Sequence, residues 1–191
     1  DYILQNLEFL YVGNCTNQTL YNCFVYGAVR GLNMNGGSGI AVGIGIDGAM
    51  KSMVVQSIGA NKFDFINSQI VSINNLPFNT YIETTSAFNS SLRLFNADFW
   101  GLPQSSITAG NGSIELYNPV FYQNGSKTFA DIQSGKIAAY NMYYAGKVPF
   151  AQPNKTGALS VFSSILDPKG VDTLKFALWK NNLSHDEIWN D

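Results

Sequence analysis

Charge is what this chain has least of. Of 191 residues only 13% are Asp, Glu, Lys or Arg, about half the share of an ordinary soluble domain. The net charge is −2 and no basic run occurs, so the clustered Lys and Arg of a nucleic-acid footprint are missing. There is one histidine, His185, and no Gly-x-Ser-x-Gly turn, which disfavours a nucleophilic triad. Two cysteines and one histidine are too few for the usual zinc ligand sets. No Gly-rich loop leads into Lys and Ser/Thr to cradle a phosphate. No metal or cofactor is therefore expected. Apolar runs are short as well. The richest, residues 40–53, is broken by Gly43, Gly45, Asp47, Gly48 and Lys51, so nothing approaches the roughly 18–20 apolar residues of a membrane span. Cys15 and Cys23 leave two states open, a bridge around a short loop or a pair of buried thiols.

What is present is apolar and aromatic: 46% of residues are hydrophobic and 14% aromatic. The polar remainder is rich in Asn, Ser, Thr and Gly, which suits a β-rich secreted protein. Asn-x-Ser/Thr acceptor sites at Asn14, Asn17, Asn89, Asn111, Asn124, Asn154 and Asn182 support an extracellular location. Asn-Gly-Ser at two of them is also turn chemistry. Asp1 runs directly into an apolar segment, and a repeat stack without a polar cap exposes an apolar end. The chain is therefore expected to be the C-terminal part of a longer one.

One phrase recurs: an aromatic residue, then Asn or Ser, then two variable residues, then a large apolar residue. It stands at 95–99, 117–121, 140–144 and 162–166. Asn96, Asn118, Asn141 and Ser163 follow one another at a nearly constant interval of about 22 residues, and a fixed period of this size marks stacked structural units. Aligned on the Asn, Leu92, Ile114, Ile137 and Leu159 share a column, as do Leu94, Leu116, Ala139 and Val161. Apolar positions alternating two apart line one face of a strand, so these point inward and Arg93, Glu115, Ala138 and Ser160 point outward. Phe99, Phe121, Tyr144 and Leu166 follow three residues after the Asn, so the parity flips there and the Asn is a turn. Residues 63–70 and 20–25 fit the same frame at Asn67 and Asn22; the register of the Gly-rich stretch 36–48 stays open. No helical period is visible, and column agreement over four units argues against a sandwich. The predicted fold is all-β: a right-handed parallel β-helix over 1–170, with coils of about 22 residues. Residues 171–191, which lack the phrase, form a capping segment in which Asp172 could start a short helix.

The Asn turn and its flanking apolar columns resemble the pectin-lyase-like superfamily of right-handed β-helices, over about residues 3–166. That superfamily contains polysaccharide lyases, glycoside hydrolases, tailspikes and adhesins. The resemblance implies carbohydrate chemistry as an expectation drawn from fold alone. Glycoside hydrolysis needs two carboxyl groups facing one bond. Asp47, Asp64, Glu83, Asp98, Glu115 and Asp131 are available. Asp47, Asp64 and Glu83, around the irregular Gly-rich coil, are the chosen catalytic candidates. Arg93 and Glu115, outward in adjacent coils, are expected to pair with each other. Just before each Asn stand Tyr21, Ile66, Phe95, Tyr117, Tyr140 and Phe162, all aromatic but Ile66. Stacked outward, these rings form a platform for a sugar or an interface; turned inward, they are core. The Asn column reads as a structural ladder. The expected function is a secreted protein that hydrolyses or binds a polysaccharide or oligosaccharide. The alternative is a structural or adhesive β-helix that assembles through its aromatic face, with the remainder of its own chain or with further copies.

Overall fold

The computed structural model describes residues 7–58, 62–72, 79–101, 103–122, 128–145, 151–153, 157–166 and 178–184. It is all-β, with no helix among the described residues: a parallel β-solenoid of about six turns and about 23-residue spacing. Among the described residues six coils show strands on all their faces. Coil 1 is Gln18–Tyr21 and Phe24–Asn35, and coil 2 is Gly39–Val42 and Gly45–Ser57. Coil 3 is Phe63–Ile66, Gln69–Ser72 and Thr80–Thr84; coil 4 is Ser91–Phe95, Asp98–Trp100 and Ser105–Ala109. Coil 5 is Ser113–Tyr117, Val120–Tyr122 and Thr128–Ile132; coil 6 is Lys136–Tyr140, Tyr143–Tyr144 and Ala151–Pro153. Coils 7 (Ala158–Phe162, Ile165–Leu166) and 8 (Leu178–Lys180, Leu183–Ser184) follow. The strand Glu8–Val12 precedes coil 1 and pairs with the far half of Phe24–Asn35.

The first strands of the eight coils form one parallel sheet, the first face. The remaining strands form a 13-stranded sheet that forks. The long strand Gly45–Ser57 pairs with Gln69–Ser72 through its first half and with Thr80–Thr84 through its second. These two arms are the second and third faces. In coils 1 and 2 a single strand serves both faces and bends at Gly27 and Gly48, whose φ angles of 65° and 69° only glycine adopts freely. From coil 3 onward the two faces are separate strands.

The corner between the first and second faces is one residue in left-handed conformation. Asn22, Asn67, Asn96, Asn118, Asn141, Ser163 and Asn181 all have φ between 49° and 54°. Asn is the side-chain-bearing residue that tolerates this region best. Gly43, φ 67°, is the corner of coil 2, so the Gly-rich stretch is an ordinary coil with Val42 in the aromatic position. The expected parity holds: Leu92, Ile114, Ile137, Leu159, Leu94, Leu116, Ala139 and Val161 are all buried, as are Phe99, Phe121, Tyr144 and Leu166. Phe99 and Phe121 stack inside at 4.3 Å with planes 5° apart, and Phe129 meets Phe121 edge-on at 5.1 Å. The solenoid extends past the boundary at 170, because Leu178–Lys180 pairs with Ala158–Phe162 and Leu183–Ser184 with Ile165–Leu166. The helix start at Asp172 lies outside the described residues. Cys15 and Cys23 are free thiols, each donating to a backbone carbonyl, of Gly13 and Tyr21.

Candidate functional site

The corner asparagines form a ladder. Asn96, Asn118 and Asn141 each donate from Nδ2 to Oδ1 of the Asn one coil earlier, at 3.1, 3.0 and 3.1 Å. The rings before the corners of coils 4 to 7 face outward and are half-buried. Phe95, Tyr117, Tyr140 and Phe162 stack at 4.8, 4.9 and 4.7 Å with planes 6–8° apart. That geometry decides what they can do. A ring sandwiched this closely has both faces covered by its neighbours and shows solvent only its edge, so no sugar can lie flat on the inner members. The Arg93 guanidinium lies 5.8 Å from the centre of the Phe95 ring at the upper end, within cation–π range. Tyr21, in coil 1, belongs to the same column but has no ring neighbour among the described residues.

Next to the ladder runs the outward column Asp64, Arg93, Glu115. Arg93 does not choose Glu115, as the sequence suggested. It makes two bonds to Asp64, of 2.6 and 2.5 Å, while Glu115 accepts from Ser91 Oγ and the Tyr117 hydroxyl, both at 2.9 Å. With its oxygens already occupied, Glu115 is the poorer partner. The Asp64 carboxylate raises the Arg93 pKa through hydrogen bonding, and burial followed by the bond to Glu115 pushes the Tyr117 phenol up to about 12. Both effects belong to a structural network.

Asp47, Asp64 and Glu83 lie one on each face and are not brought together. Asp64 is on the first, in its ion pair. Asp47 is on the second, between Tyr26 and Val71, with no ion pair among the described residues. Glu83 is on the third, 2.6 Å from the Lys51 ammonium. There it borders a polar cleft of about 280 Å³ whose lining includes Lys51, Asn79, Thr80, Gln104, Thr108 and Asp131. Glu83, Thr108 and Asp131 are successive members of one column, which puts the two carboxylates two rungs apart, about 9.5 Å at the usual strand spacing. Asn79 braces the wall, donating to Ser72 Oγ at 3.0 Å and accepting from the Gln104 amide at 2.7 Å. Reading the sequence did not single out this pairing. The recurring phrase sits on the first two faces, and insertions of unequal length before the third hide its register. No group of three or more Asp, Glu, His or Cys side chains converges among the described residues.

The acceptor sites divide by placement. Asn14, Asn17 and Asn89 are exposed and Asn111 is half-buried; Asn124 and Asn154 lie outside the described residues. Asn182 is 7% exposed. Its Nδ2 donates to the Val161 carbonyl and its Oδ1 accepts from the Ser164 amide, both at 2.8 Å, so a glycan there would cost the fold buried hydrogen bonds. No helix among the described residues is long and apolar enough to cross a membrane. No protein-family model, curated protein or solved structure matches this chain.

Proposed function

We propose that this is a secreted solenoid that binds and hydrolyses an extended polysaccharide laid along its third face. The observation that carries the reading is the column Glu83, Thr108, Asp131 in a polar cleft. Inverting glycosidases hold their two carboxyl groups about 6.5–9.5 Å apart, leaving room for a water beneath the sugar, and two rungs supply that separation. The Lys51 ammonium orients Glu83, the carboxylate assigned to accept a proton from the attacking water. Asp131, in no ion pair among the described residues, is the second carboxyl group of the pair. The Gln104 carboxamide and the Thr108 hydroxyl, which border the cleft, match sugar hydroxyls. The resemblance of the corner motif to pectin-lyase-like β-helices supports the same class by analogy of fold, and the exposed acceptor sites Asn14, Asn17 and Asn89 support secretion.

The test is release of reducing ends from a panel of polysaccharides. Glu83→Gln and Asp131→Asn are each expected to lower the rate at least 100-fold, with Asp47→Asn unchanged. Inactivity of the wild type across the panel, or full activity in both variants, refutes hydrolysis. A second reading, assembly with a partner chain, is supported by Phe9 and Tyr11 on the leading strand, which are 52% and 55% exposed. Self-association seen by light scattering and lost in Phe9→Ser/Tyr11→Ser supports it.

A further inference from the structure

The corner column lacks a side chain in one coil. In coil 2, Gly43 stands where coils 1, 3, 4, 5 and 6 carry Asn. Two residues on, Gly45 stands between Phe24 of coil 1 and Gln69 of coil 3. The two missing side chains leave a notch of about 290 Å³ bordered by Asn22, Phe24, Asn67 and Gln69. The neighbours lean into the space. A Cβ on Gly45 would come within 2.7 Å of the Phe24 ring, and one on Gly43 within 2.5 Å of Asn22 Oδ1.

Two features of the notch are those of a sugar site. The first is an aromatic face. Phe24 is 61% exposed and, unlike the stacked rings of the ladder, has no ring partner among the described residues. Tyr21 and Tyr26, which flank it in coil 1, are 68% and 69% exposed. The second is a set of carboxamides with unused capacity. Asn67 accepts from Asn96, but Gly43 above it offers no acceptor, so the Asn67 Nδ2 hydrogens have no ladder partner. Among the described residues the carboxamides of Asn22 and Gln69 make no hydrogen bond. No charged side chain lines the notch.

We infer that this notch binds one uncharged hexose unit of a glycan. The C–H face of the pyranose packs on Phe24, and its hydroxyls meet the carboxamides of Asn22, Asn67 and Gln69. A shallow site of this size, with few contacts, holds a sugar with a dissociation constant of about 1 mM. The site is separate from the third-face cleft and does not depend on hydrolysis there.

The test is a titration of the full chain with cellobiose, methyl mannoside and trigalacturonate, read by amide chemical shifts. A neutral sugar is expected to saturate, with the largest shifts at Phe24, Gly43, Gly45 and Gln69, and trigalacturonate to bind at least 10-fold more weakly. Phe24→Ala removes the platform and is expected to weaken binding at least 10-fold. Gly43→Asn fills the notch with a residue that suits its φ, displacing only the mobile end of Asn22, and is expected to do the same. Tyr140→Ala, in the closed ladder, is expected to bind as the wild type does. Unchanged spectra elsewhere show that the variants fold. Saturation by none of the neutral sugars, equal binding of trigalacturonate, or undiminished binding in both notch variants overturns the proposal.

Discussion

Coils 1 and 2 and coils 4 to 7 share inward columns but differ outside. In the later coils the outward rings of coils 5 to 7 each rest on the one before, the corner Asn of coils 4 to 6 each donates to its predecessor, and the second and third faces of coils 4 to 6 are separate strands. In the first two, single strands bend at Gly27 and Gly48, Gly43 breaks the ladder, and Tyr21, Phe24 and Tyr26 stand clear of any ring partner among the described residues. The same aromatic residue types therefore do opposite things. Where the register is unbroken, stacking consumes the ring faces for stability. Where glycine breaks it, the faces stay open to a ligand.

The largest expected effect is in the core that both regions share. Phe121→Ala removes a ring stacked on Phe99 and is expected to cost about 4 kcal/mol, while Ile46→Val, in the same inward column in coil 2, should cost about 1. Urea denaturation midpoints measure both, and a cost below about 2 kcal/mol for Phe121→Ala would show the stacked ring to be dispensable. Next comes the corner. Asn118→Val loses two ladder bonds and forces a β-branched residue to φ 52°, so about 3 kcal/mol is expected. Asn22→Val, with no ladder bond to lose, should cost about 2. Smaller still is Arg93→Ala. Its ion pair with Asp64 is about three-quarters buried and is worth about 1 kcal/mol, measured by the same midpoints; no change would place the pair among inert surface contacts.

The smallest effect is in pH. The Glu8 carboxyl is held below its ordinary pKa chiefly by the Asn33 amide, with Arg30 adding and partial desolvation opposing. A lowered folded pKa contributes stability that is full above the ordinary carboxylate range and is lost as pH falls through the folded value. Asp98, pushed up by burial in coil 4, works in the other direction, its penalty easing as it protonates. Below about pH 4, hydrogen exchange should therefore quicken along the Glu8–Val12 pairing before it does along Asp98–Trp100. Equal quickening would remove the electrostatic part of the contrast.

Much of this was legible in the sequence, for reasons that lie in particular residues. Asn96, Asn118 and Asn141 mark a left-handed corner because few other side chains accept one, and Leu92 and Leu94 mark an inward face because a strand alternates. Coil 2 was illegible because Val42-Gly43 carries neither the ring nor the Asn. Coil 8 was missed because Lys180 stands in the aromatic column before Asn181. The partner of Arg93 was misjudged because the coil that holds Asp64 is longer than the common period, which hides their shared column. Glu115, one ordinary period away, is already engaged by Ser91 and Tyr117. The Glu83–Asp131 column was hidden by insertions of unequal length ahead of the third face.

The sequence alone determined that this chain is a parallel solenoid, because a corner that needs a left-handed backbone and strands that need alternate apolar residues leave local signatures. Only the tertiary structure decided which carboxylates share a cleft and which rings keep a free face. Both depend on what sits one coil away in the stack, a neighbour a full period distant in the chain and fixed only when the coils are laid in register.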